Sequence, residues 1–106
     1  MEPFNIRIKH KWKYITLTIL PFDEKCFDVI YFGGILGVLC KKKNRYTSIG
    51  LEKITGRDLP FYSDKYKKDA ERLNLKFTDK FAAKVISEIE NVLNPPTPED
   101  LSALAV

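Results

Sequence analysis

Two stretches near the start of the chain alternate strictly between apolar and polar residues, and this pattern limits the fold more than any other feature. Phe4, Ile6 and Ile8 interleave with Asn5, Arg7 and Lys9, and Ile15, Leu17 and Ile19 interleave with Tyr14, Thr16 and Thr18. A period of two is the signature of a half-buried strand. A turn at His10-Lys11 would set Lys9 opposite Trp12, Ile8 opposite Lys13 and Ile6 opposite Ile15. All the aliphatic side chains would then share one face. A slip of one residue would turn that whole set toward water, so the register is strongly specified.

Pro21 to Lys25 reads as a polar loop, because proline cannot donate to a ladder. A second hairpin is expected over residues 26–40, with Gly33-Gly34 supplying the positive φ angles of a tight turn. In that register Phe32 faces Ile35, Tyr31 faces Leu36, Val29 faces Val38 and Phe27 faces Cys40. One face carries Phe27, Val29, Tyr31, Leu36, Val38 and Cys40. The other carries Cys26, Asp28, Ile30, Phe32, Ile35, Gly37 and Leu39, and it too is largely apolar. Lys41 to Arg45 form a polar turn, Tyr46 to Ile49 a fifth strand, and Gly50 to Pro60 an irregular connection broken by Gly56 and Pro60.

Helical spacing then replaces alternation. Tyr62, Tyr66, Ala70 and Leu73 suggest a helix over residues 62–74. A second helix over 79–93 has Thr78 as its N-cap and Asp79 at the positive end of its dipole. Its apolar stripe is Phe81, Ala82, Val85, Ile86, Ile89, Val92 and Leu93, and Asn94-Pro95-Pro96 ends it. The expected architecture is an α+β domain. A mostly antiparallel sheet of about five strands, two hairpins plus one strand, is followed by two C-terminal helices packed on one face. Residues 1–94 form the single domain, and 95–106 form a Pro-rich tail with room for a short docked helix after Thr97-Pro98. At 106 residues, such a chain can bury a core without metals or disulfides.

The Gly-Gly register places Cys26 opposite Lys41 and Cys40 opposite Phe27, so the thiols point to opposite sides of the sheet. Both are read as free, small, buried hydrophobes. The start, Met1 to Arg7, lacks the basic-then-apolar build of a secretory signal. The longest uncharged run, Val29 to Cys40, falls short of the roughly 20 apolar residues that span a bilayer. A soluble, cytoplasmic protein with no membrane contact is the expectation.

The familiar catalytic constellations are missing from the sequence. The single histidine, His10, sits at a hairpin tip with no nucleophile elbow elsewhere. There is no Cys-x-x-Cys, and the glycines have no phosphate-loop spacing. Asp23, Glu24 and Asp28 meet no calcium-loop pattern. A non-enzymatic role with no cofactor and no metal is expected.

Two binding roles remain. The apolar second face of the 26–40 hairpin, through Ile30, Phe32, Ile35 and Leu39, suits a protein interface, with self-association into a homodimer as its simplest form. The alternative is single-stranded nucleic acid. The net charge is +4, and Arg7, Lys9, Lys11 and Lys13 crowd the first hairpin. Its outer face carries Arg7, Lys9, Trp12 and Tyr14, the mixture of cations and aromatic rings on which single strands stack.

Overall fold

The computed structural model describes residues 1–62 and 75–94. Five strands, β1 (Phe4–His10), β2 (Lys13–Pro21), β3 (Cys26–Tyr31), β4 (Gly34–Lys42) and β5 (Arg45–Ile49), form one antiparallel sheet in sequential order. A 3-10 turn, Leu51–Lys53, follows, and then the helix α1 (Asp79–Leu93). The helix expected over 62–74 lies outside the described residues except for Tyr62, as does the tail 95–106. The five-stranded sheet and the later helix are observed as expected.

α1 begins where its capping chemistry places it. The Thr78 hydroxyl accepts from the Phe81 N–H at 3.2 Å, satisfying one orphan donor of the first turn. Phe81, Ala82, Val85 and Ile89 are buried against the inner face of the sheet. Burial of each larger side chain stabilises by roughly 1.5–3 kcal/mol. α1 packs against β1 and β5, the two edge strands, so the sheet curls around it. The main core joins these residues to Ile6, Ile8, Ile15, Leu17, Ile19, Phe27, Val29, Tyr31, Leu36 and Leu39.

The first hairpin turns at Lys11-Trp12, one residue later than expected, with Lys11 in the left-handed region at φ 58°. His10 pairs with Lys13, Lys9 with Tyr14, Arg7 with Thr16 and Ile6 with Leu17. Moving the turn by one shifts the register by two, so every side chain stays on its expected face.

The second hairpin departs further from expectation, and the cause is a change of roles between two glycines. Its turn is Phe32-Gly33, with φ 48° and 76°, the signs of a type I′ turn. Gly34 lies in β4, where a Cβ would come within 2.7 Å of the Tyr62 Cα. Its missing side chain thus admits a neighbouring backbone rather than making the turn. Pro60 to Tyr62 run beside the start of β4: the Ile35 N–H donates to the Pro60 carbonyl and the Tyr62 N–H to the Ile35 carbonyl, both at 2.8 Å. This parallel contact continues the sheet edge beyond the end of β5.

A β-bulge then shifts the register between Val29 and Ile30: Ile30 pairs with Ile35, but Val29 pairs with Gly37, leaving Leu36 without a partner. Turn and bulge together displace the register by one residue relative to the expected pairing. Val38 and Leu39 therefore exchange faces. Leu39 is fully buried in the main core, and Val38 lies on the outer side with Ile30 and Ile35. Cys26 now pairs with Cys40, and the two form a disulfide with Cα atoms 4.1 Å apart. This corrects the expectation of two free thiols on opposite sides.

The outer face of β3–β5 is covered by the chain itself. Leu51 and Ile54 pack on Ile30, Ile35 and Val38. Asp28, 2% exposed on that face, accepts from Arg57 Nε and Nη2, each at 3.2 Å. Arg57 also donates through Nη1 to the Thr55 carbonyl at 2.8 Å and lies 3.3 Å above the centre of the Phe22 ring. Residues 50–62 thus form a strap across the outer sheet, pinned by one buried ion pair.

Candidate nucleic-acid interface

The strap reaches β3–β5 and Leu20 at the end of β2, but among the described residues it leaves Asn5, Arg7, Lys9, Tyr14 and Thr16 on the outer face of β1 and β2 exposed to solvent. Alternation puts Asn5, Arg7 and Lys9 of β1, and Tyr14, Thr16 and Thr18 of β2, on that face. Tyr14 is 63% exposed and Trp12, in the turn, 74%. The Arg7 guanidinium carbon stands 5.2 Å from the centre of the Tyr14 ring, a cation–π contact between the two strands. Lys9 lies beside Tyr14 in the ladder. The Thr18 hydroxyl donates to the Asn5 side-chain oxygen at 2.7 Å, fixing the far end of the surface.

α1 adds a further cation. The ammonium of Lys84 donates to the Lys9 carbonyl at 3.3 Å. That carbonyl is free because His10–Lys13 closes the turn as a hydrogen-bonded pair, so the next pair, Lys9–Tyr14, directs the β1 backbone groups away from β2. Phe81 meets His10 at 5.9 Å between ring centres and fixes the start of α1 near the hairpin tip. Arg7, Lys9, Lys11, Tyr14 and Lys84 thereby line one groove at the edge of β1, with Glu88 as its acidic member. The surface combines four cations with a flat, exposed ring. It can neutralise a chain of phosphates and stack an unpaired base.

Of the residues expected here, Arg7, Lys9 and Tyr14 are brought together. Trp12 stands at the tip, in the turn rather than opposite Lys9. Sequence reasoning missed Lys84, because its approach depends on where α1 crosses β1. The only advance signal was its place on the charged side of that helix.

The interface expected over Ile30, Phe32, Ile35 and Leu39 does not form one exposed surface within the chain. Ile30 and Ile35 are 8% and 1% exposed beneath the strap, and Leu39 faces the opposite side of the sheet in the main core. Phe32, in the turn, is 43% exposed. The register shift moved Leu39, and the strap covered Ile30 and Ile35.

The basic residues around the β4–β5 turn sit elsewhere. In a sequential antiparallel sheet the Lys11-Trp12 and Lys43-Asn44 turns lie at opposite ends, so Lys41, Lys42 and Lys43 do not join the hairpin cations. Among the described residues no group of three or more His, Cys, Asp or Glu side chains could hold a metal ion. No described helix is long and apolar enough to cross a membrane.

No family model matches this chain, and neither a curated protein nor a solved structure resembles it significantly.

Proposed function

We propose that this chain is a small, non-catalytic binding domain of the cytoplasm that takes single-stranded nucleic acid on the outer face of its first hairpin. The observation that carries this reading is the open basic, aromatic surface: Arg7 stacked on an exposed Tyr14, Lys9 beside it, and Lys84 delivered to the same edge by α1. Phosphates engage the cations, and bases stack on Tyr14 and on Trp12 at the tip. The strap over Ile30 and Ile35 favours this reading over docking on the apolar face.

Fluorescence anisotropy of a labelled single-stranded oligonucleotide at low salt tests it. Tyr14→Ala removes a stacking platform and should weaken binding by about 1–3 kcal/mol, the usual worth of one base–aromatic stack. Lys9→Glu should weaken it further, by reversing a charge in the groove. Both sites are exposed, so thermal stability should barely change. Unchanged binding by both folded variants would remove the reading.

Protein assembly keeps a narrower basis as the second reading. Among the described residues β1 and β5 each have one lateral edge outside the sheet ladder, and edges of this kind pair with other chains. Solution mass by light scattering discriminates. A salt-insensitive dimer would favour assembly, whereas a monomer leaves nucleic-acid binding as the better-supported role.

A further inference from the structure

At the end of the sheet away from the hairpin tip, the Cys26–Cys40 bridge lies in a surface groove with Lys25, Lys41, Lys42 and Lys43. All four lysines are exposed, and both cysteines are only partly buried. Lys41 is drawn over the Tyr46 ring, 5.5 Å from its centre, which leaves Lys25, Lys42 and Lys43 as the cations open to the groove. The acidic residue lining the groove, Asp23, is engaged: one carboxylate oxygen accepts the N–H groups of Lys25 and Cys26 at 2.8 and 2.7 Å. The opposite face of the sheet is the main core, so this side is the way in for a reactant.

A disulfide in such surroundings differs from one sealed in a core. Neighbouring ammonium groups stabilise a cysteine thiolate and so make it a better leaving group. They also attract a negatively charged reactant and raise its local concentration. Resting on the cytoplasmic role proposed above, this bridge belongs with the exchangeable kind found in a reducing compartment.

We propose that Cys26–Cys40 is a reversible thiol-exchange site whose preferred reactants are small thiols bearing carboxylates, such as glutathione. An incoming thiolate, its proton lost to solvent, attacks one sulfur of the bridge. The Cys26–Cys40 bond breaks, a mixed disulfide forms, and the displaced cysteine leaves as a thiolate beside the lysines. A second thiolate attacks the mixed disulfide. It releases the oxidised dimer of the small thiol and leaves both cysteines reduced. The two small thiols supply the two electrons, and no other oxidant or reductant takes part.

The test begins with alkylation of the native protein before any reduction, read by intact mass. Two alkylated cysteines at that stage would show that the bridge does not form and would overturn the proposal. The bridged protein is then exposed, without denaturant, to 3-mercaptopropionate and, separately, to cysteamine. Mixed-disulfide formation is followed by mass and normalised to the rate of each thiol with a small neutral disulfide. The anionic thiol should react at least about fivefold faster than the cationic one at low salt, and the advantage should collapse at high ionic strength. Lys25→Glu combined with Lys42→Glu, both at exposed positions, should abolish or invert it. A bridge inert to both thiols would contradict the proposal. So would equal normalised rates, or a preference that survives in the lysine variant.

Discussion

Removing Arg57 should destabilise the domain far more than removing an ordinary surface arginine. Its guanidinium makes two hydrogen bonds to Asp28, and the side chains of the pair are only 13% and 3% exposed. Among the described residues no other side chain or backbone group donates to the Asp28 carboxylate, so Arg57→Ala strands a charge beneath the strap. Breaking a buried pair in this way costs about 3–5 kcal/mol. The strap can partly open and let water reach Asp28, which argues for the lower end, near 3 kcal/mol. Losing the contact with Phe22 adds to this rather than offsetting it. With a urea slope of about 1–1.5 kcal/mol/M for a domain of this size, the unfolding midpoint should fall by about 2–3 M. Replacing both partners by apolar residues, Asp28→Leu with Arg57→Met, should recover most of the loss, because neither charge then needs solvation. If Arg57→Ala costs less than about 0.5 kcal/mol, the pair behaves as an exposed one and the strap is held by something else. Strict additivity of the Asp28→Ala and Arg57→Ala losses in the double variant would equally refute the pairing.

Gly37→Ala would drive a Cβ into the Phe77 ring, just before the cap of α1, and should cost about 1–3 kcal/mol in chemical denaturation. Thr78→Ala removes the cap and should lower stability by about 1 kcal/mol, with helix content lost first at the start of α1 when followed by hydrogen exchange. Burial, and secondarily the charge of Glu90, raise the Tyr46 phenol above its ordinary 10.0. Its neutral form is therefore favoured by folding, and that contribution is intact below pH 10.0 and lost as pH rises through the folded value. Ultraviolet titration of the phenolate should show Tyr46 ionising later than a free tyrosine, and Glu90→Gln should bring it part of the way back.

The strands of the first hairpin were legible because their alternation is strict. A turn misplaced by one residue still left Ile6, Ile8, Ile15, Leu17 and Ile19 on the inner face. α1 was legible through its cap and stripe, although Val92, counted in that stripe, is 47% exposed at the helix end. The second hairpin was harder because both of its faces are apolar, so hydrophobicity could not choose between registers one residue apart. Gly33-Gly34 looked like a turn, but Gly34 was needed for the approach of Tyr62, a contact from residues far along the chain. The moved turn and the bulge after it together gave the odd register shift that pairs Cys26 with Cys40 and buries Leu39. The pairing of Asp28 was hidden because its partner, Arg57, lies 29 residues away in sequence. The basic, aromatic surface was readable from local pattern, except for Lys84.

The most direct test of the central claim is the salt dependence of single-stranded oligonucleotide binding. Arg7, Lys9, Lys11 and Lys84 offer four phosphate contacts, so the logarithm of the binding constant should fall against the logarithm of salt with a slope of about −3. Lys84→Gln should make the slope shallower by about 0.7. A wild-type slope near zero, or one that Lys84→Gln leaves unchanged, would contradict the account.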